Sequence, residues 1–203
     1  INLINFAHGE VLMVGALTSW SVVGALQNWQ PDMPGWALLA IGLLAAALVC
    51  ALLNFCIEKI AYKRLRNSPR LAPLITAIGM SILLQTLAMI IWKPNYKPYP
   101  FLLPGAVDVA GATITYTQIL ALALTAISLA VLSYIVSRTS LGRAMRATAE
   151  NPRVAALMGV KPDWVISATF IIGAVLAAVA GVMWAANYGS VNHTTGFLPG
   201  LKA

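Results

Sequence analysis

Long apolar runs alternate with short polar segments along this chain, and the run lengths decide its class. Four runs stand out, at positions 36–57, 71–92, 116–136 and 165–186. Each is long enough to span, since about 20 apolar residues in a helix cross a hydrocarbon core of roughly 30 Å. Lipid offers backbone amides no outside partner, so each run is predicted to be a helix. A fifth run occupies positions 11–26. It is short for a full span unless the polar-spotted stretch before it joins in.

The polar segments orient these spans. Residues 58–70 carry Lys59, Lys63, Arg64, Arg66 and Arg70, and residues 137–164 carry Arg138, Arg143, Arg146, Arg153 and Lys161. Positively charged loops stay cytoplasmic, so these two face inward, and residues 27–35 and 93–115 face outward. Five crossings then alternate without conflict. In the outer segment 93–115, Pro94, Pro98, Pro100 and Pro104 prevent helix. The stretch VDVAGATIT alternates around Ala110-Gly111 like a small β-hairpin. Either a rigid surface cover or a platform for an extracytoplasmic partner fits this segment.

Composition agrees with a lipid solvent: 60% of residues are apolar and 9% charged, against about 25% charged in a soluble domain. The net charge of +7 falls between apolar runs, without the aromatic-basic interleaving of a nucleic-acid binder. Cys50 and Cys56 share one apolar run and read as packing residues rather than metal ligands. The chain opens INLINFAHGE and stops at PGLKA, so both ends read as cut and a longer parent protein is expected. The expected fold is all-α: a polytopic transmembrane helical bundle of about five spans, residues 1–203 forming one partial domain. No phosphate loop of the GxxxxGK[ST] kind, catalytic triad or paired-carboxylate pocket is visible, so no enzyme, cofactor or metal is expected.

Five places carry candidate function. The basic island 137–164 resolves into a helix over 140–150 and a shorter one over 153–158. Asn151 is a favoured N-cap, Pro152 suits the first helical position, and Gly159 suits the left-handed residue that ends a helix. So short a helix needs a surface to lie on. Val154, Leu157 and Met158 offer it an apolar edge, which either lipid headgroups or a protein partner could receive. The second place is Asn5, His8, Gly9 and Glu10, a polar stretch resembling the broken helices of transport pathways. The alternative puts these residues at the inner interface, capping the next helix. Third, Gln85 lies mid-span with Ser81 one turn earlier and Thr76 further back; it reads as interhelical glue or as a pathway residue. Fourth, Gly173, Ala177 and Gly181 form a small-residue stripe for close helix packing. His193 and residues 187–195 fit a surface turn or the outer mouth of a path.

The passage GRAMRATAENPRVAALMGVKPDWV resembles the cytoplasmic loop of ABC importer permeases of the branched-chain amino acid class. The opening INFAHGE and the passage from GVKPDWVISATFIIGAVLAAVAGV to NYGSVNHTTGFLPGLKA resemble the same family. Together these matches cover most of the chain. Ribose-type permeases share the general plan but usually lack that opening; urea and short-amide permeases carry a very similar one. The resemblance implies a coupling helix that seats in a cleft of an ATPase. Carried over, the coupling loop maps onto Gly142, Arg143, Arg146, Glu150, Asn151, Pro152, Ala155, Ala156 and Gly159, with Leu157 on the docking edge. This chain reads Glu-Asn-Pro where the broader permease motif reads Glu-Ala-Ala, which leaves open which Ala meets the ATPase.

The implied function is a multi-pass permease subunit of the bacterial inner membrane that moves branched-chain amino acids. The implied partners are cytoplasmic ABC ATPase subunits, a second permease subunit, a periplasmic substrate-binding protein and membrane lipid, with no nucleic acid. A urea or short-amide permease is the alternative within the family. An ATP-independent membrane protein, either a channel or an ion-coupled secondary carrier, is the alternative outside it. Such a carrier would need an ionisable residue deep in a span, and the four long runs hold none beyond their first or last turn.

Overall fold

The computed structural model describes residues 8–65, 71–109, 112–197 and 200. Five helices long and apolar enough to cross a membrane follow the five runs. They are α1 (His8–Trp29), α2 (Gly35–Ile57), α3 (Leu71–Trp92), α4 (Tyr116–Arg138) and α7 (Pro162–Tyr188). Two short helices, α5 (Ser140–Glu150) and α6 (Pro152–Leu157), lie between α4 and α7. The short fifth run does draw in polar residues, for α1 begins at His8. The chain is a multi-pass integral membrane protein, and the exposed apolar side chains of α4, among them Leu122, Ile127 and Leu129, suit a lipid solvent.

The core forms where α1, α2 and α7 meet, on Val11, Met13, Leu17, Ala46, Cys50, Ala174, Ala178 and Val182. Small residues make the contact close. Gly181 lies directly against the Leu12 carbonyl, and a Cβ on Gly15 would stand 3.0 Å from the Ala178 Cα. The stripe Gly173, Ala177, Gly181 thus faces α1. Cys50 is buried and its thiol donates to the Val11 carbonyl oxygen at 3.3 Å, while Cys56 is exposed.

Hydrogen bonds across the helices fix direction and depth. Gln85 Nε2 donates to Glu10 Oε1 and, further along both helices, Trp92 Nε1 donates to Ser21 Oγ, each at 2.7 Å, so α3 runs parallel to α1. His8 meets Gly173, well inside α7, and Gly15 meets Ala178 further along it, so α7 is parallel as well. The offset from Pro162 to Gly173, at a rise of about 1.5 Å per residue, places His8 about 16 Å above the start of α7. The His8 turn of α1 sits at mid-depth in the bundle.

One end of the bundle holds the segment 93–115. Trp20 Nε1 donates to the Pro98 carbonyl at 2.9 Å. Ser19 and Tyr99 share a hydrogen bond of 2.8 Å. Burial pushes the Tyr99 phenol up, partly offset by that bond. The hairpin forms as expected, with β2 (Ala106–Val109) antiparallel to β3 (Ala112–Thr115) and Val107 opposite Ile114. An unexpected pairing joins β1 (Lys97–Pro98) to β4 (Ser190–Val191), which ties this segment to the end of α7. The opposite end holds the described parts of both basic loops, joined by the Lys63–Asp163 ion pair at 3.3 Å. Each end thus gathers the loops that charge alone assigned to one side.

Candidate functional site

Two polar centres stand out in this apolar bundle. The first is at mid-depth, on the first turn of α1. Glu10 is 1% exposed. Its Oε1 accepts from Gln85 Nε2 at 2.7 Å and from Ser81 Oγ at 3.0 Å. Its Oε2 is buried with no hydrogen-bond partner among the described residues. Gln85 and Ser81 do share one face of α3, and Gln85 bridges two helices. Thr76 takes no part, because its hydroxyl bonds back to the Ala72 carbonyl.

This geometry corrects the reading that placed His8 and Glu10 at the inner interface. Gly9 is in backbone contact with Gly196 and Gly200, and a Cβ at Gly9 or Gly196 would collide with the other strand of chain. The segment after β4 therefore folds back from the outer end to the start of α1. The segment is partly buried: Val191 and Asn192 are buried, and His193 Nδ1 is buried with no hydrogen-bond partner among the described residues, while Tyr188 is exposed. Asn192 Oδ1 organises the turn, accepting from Thr195 Oγ1 at 2.8 Å and Thr194 Oγ1 at 3.0 Å. Asn5 lies outside the described residues. An ionisable residue thus does lie deep in the bundle, in the fifth span rather than the four long ones. Lack of deep charge is no argument against ion coupling here.

The second centre is at the basic end. The last turn of α2 runs on as a π-helical turn, Glu58–Tyr62. Such turns insert a residue into the helical ladder and re-aim the side chains beyond it. Glu58, placed by sequence in a cytoplasmic loop, is instead 0% exposed. Its Oε2 accepts from Ser167 Oγ at 2.8 Å, and Lys59 Nζ stands 3.9 Å away. One turn back, Asn54 Nδ2 donates to the Phe170 carbonyl at 2.7 Å. Tyr62 and Phe170 pack with ring centroids 5.4 Å apart. The signal was present in sequence: Asn54 and Glu58 are four apart, on one face of an apolar run.

The island is built as its residues dictate. Thr139 caps α5, its hydroxyl accepting from Gly142 N at 3.1 Å, and Gly142 packs against the last carbonyls of α4. Arg146 Nη1 donates to the Val136 carbonyl, clamping α5 to α4. Asn151 Oδ1 accepts from Arg153 N at 3.1 Å and Val154 N at 3.2 Å, with Pro152 at the first helical position. Gly159 has φ of 83°, a left-handed conformation that suits Gly. Arg143 lies on α5, Glu150 ends it, and on α6 Ala155 is buried while Ala156 is exposed. Leu157 is 86% and Met158 80% exposed. Among the described residues no cluster of His, Cys, Asp or Glu could hold a metal ion.

The fold and these centres define a polytopic helical membrane protein with a structured basic loop between its last two described spans. The family model described as "Branched-chain amino acid transport system / permease component" matches residues 1–203, and the chain belongs to that family. It is 39% identical to the high-affinity branched-chain amino acid transport system permease protein LivH of Escherichia coli K12. That alignment covers all of this chain and 67% of the relative. It is 40% identical, with the same coverage, to the permease protein BraD of Pseudomonas aeruginosa. Identity to LivH of Salmonella typhimurium is 38% over the same shares. No solved structure matches the chain.

Proposed function

We propose that this chain is a permease subunit of an ABC importer, carrying branched-chain amino acids across the bacterial inner membrane. Separate ATPase subunits supply the energy, and this chain has no ATP-hydrolysing site of its own. A periplasmic binding protein delivers the solute, and a second permease subunit completes the path. The observation that carries this reading is the exposed edge of α6. Leu157 and Met158 stand out from a polar, basic end of the molecule, on a helix under two turns long. An apolar tip there gains nothing from water and is suited to a hydrophobic cleft.

In this reading α5 and α6 form the lever. Gly142 and Arg146 fix α5 to α4, Asn151 and Pro152 start α6, and Gly159 sets the angle at which the chain returns to α7. Arg143, Glu150, Ala155 and Ala156 lie along the same loop. Closure of the ATPases pushes α6, and the push reaches α7 directly because α7 begins at Pro162, just after Gly159. The names of the relatives support the solute.

The test is reconstitution of the full-length permease with its partners in proteoliposomes. Leucine uptake should require ATP. Replacing Gly159 with Leu should weaken ATPase association or let ATP hydrolysis proceed without uptake. Uptake that survives ATP depletion and follows an ion gradient would establish the ion-coupled alternative, which the buried Glu10 makes a fair competitor.

A further inference from the structure

The mid-depth centre around Glu10 has no assigned role, and its geometry is one-sided. Both described partners of the carboxyl group are donors, and both use the same oxygen: Ser81 Oγ at 3.0 Å and Gln85 Nε2 at 2.7 Å reach Oε1. Oε2 is equally buried and has no partner among the described residues. A carboxylate in a low-dielectric interior is costly unless its oxygens are paired. Ionisable groups at this depth are rare in spans and mark solute or ion pathways. Ser81 and Gln85 hold the group by one oxygen and leave the other to accept.

The location suits a solute path. Ser81 and Gln85, the partners of Glu10, flank the middle of the parallel helix α3, which runs from Leu71 to Trp92. Glu10 is therefore level with the centre of that span. Beside it, at Gly9, the chain that follows β4 comes into backbone contact. Three chain segments (the first turn of α1, the middle of α3 and the return after β4) therefore meet at one depth. A site formed at such a meeting opens or closes when any of the three shifts.

We propose that Glu10 Oε2 is a transient binding point for the positively charged amino group of the solute, with Ser81 and Gln85 as its positioning residues. This rests on the reading that the chain carries amino acids, which bear an ammonium group as neutral urea and amides do not. The pairing is reversible and involves no covalent step. Ammonium of the zwitterion pairs with this second oxygen on the way through, so that both oxygens of the carboxyl group are then occupied.

The experiment uses the full-length transporter with its ATPases and binding protein in proteoliposomes. Wild-type protein that takes up no leucine would overturn the functional reading itself. Given wild-type uptake, Glu10→Gln should still assemble and show ATPase activity stimulated by loaded binding protein. Its leucine uptake should fall roughly thirtyfold, as when one partner of a buried charge pair is removed. Uptake within about twofold of wild type would overturn this proposal alone.

Should Glu10→Gln fail to assemble, the wild-type transporter answers instead. A hydrophobic carbodiimide labels buried carboxyl groups, and mass spectrometry reads the peptide holding Glu10. Saturating leucine should protect Glu10, and 4-methylpentanoate, which has the same carbon chain without the amino group, should not. Equal protection by both, protection by neither, or no labelling of Glu10 would each overturn the proposal.

Discussion

Asn151 starts α6 with a single side-chain oxygen that serves two backbone N–H groups at once. Losing an N-cap of this kind destabilises a helix by about 1 kcal/mol. For a helix of six residues that is a large share of what holds it. Asn151→Ala should therefore speed hydrogen exchange at the Arg153 and Val154 amides roughly fivefold. The rest of the bundle should exchange as before. Unchanged exchange at those two amides would mean that packing of the buried Ala155, not the cap, starts the helix. Glu10 and Glu58 show the limit of reading single residues. Both are nearly fully buried, yet sequence left one open between a pathway and an interface and put the other in a loop. A carboxylate's burial depends on which helix supplies its donors, and those donors, Ser81 and Ser167, lie far along the chain.

Helices were the most legible level. Run length and Pro and Gly punctuation set the limits of α3 and α5, and Asn-Pro set the start of α6. Apolar periodicity could not show that α2 continues into a π-helical turn, because that turn exists to serve a tertiary contact. It brings Glu58 against Ser167 and Tyr62 against Phe170, joining the end of α2 to α7 just beyond the island. Ser167→Ala removes a buried donor to a buried carboxylate, a loss on the order of 1–3 kcal/mol. Thermal unfolding of the detergent-solubilised protein should shift down by several degrees. Within the importer reading, the ratio of ATP hydrolysed to leucine moved should also rise, since this contact joins the lever's landing point to α2. An unchanged midpoint would show that the hydroxyl bonds only its own helix, through the Asp163 carbonyl at 3.0 Å.

At the scale of the whole molecule, the two basic loops share one end, and the segment 93–115 packs at the other with the strand after α7. The positive-inside rule assigns the basic end to the cytoplasm. With Cys50 and Cys56 replaced, Leu157→Cys should react with an impermeant thiol reagent only in inverted vesicles. Added ATPase subunits should suppress that reaction. Labelling in intact cells would reverse the orientation and remove the basis for an ATPase partner at α6.

The number of spans, their approximate limits, their alternation and the two-part basic island were fixed by local rules: span length, helix capping and the charge of short loops. Those properties need no knowledge of neighbours, because lipid imposes them on each segment separately. Depth and partnership were decided only by tertiary structure. That His8 and Glu10 lie halfway along the bundle, that the chain after β4 returns to meet them, and that Glu10 and Glu58 are buried all depend on side chains far apart in sequence. An apolar solvent makes every span look alike to a hydropathy pattern. Only packing of small residues and buried hydrogen bonds tells one helix where along another it must sit.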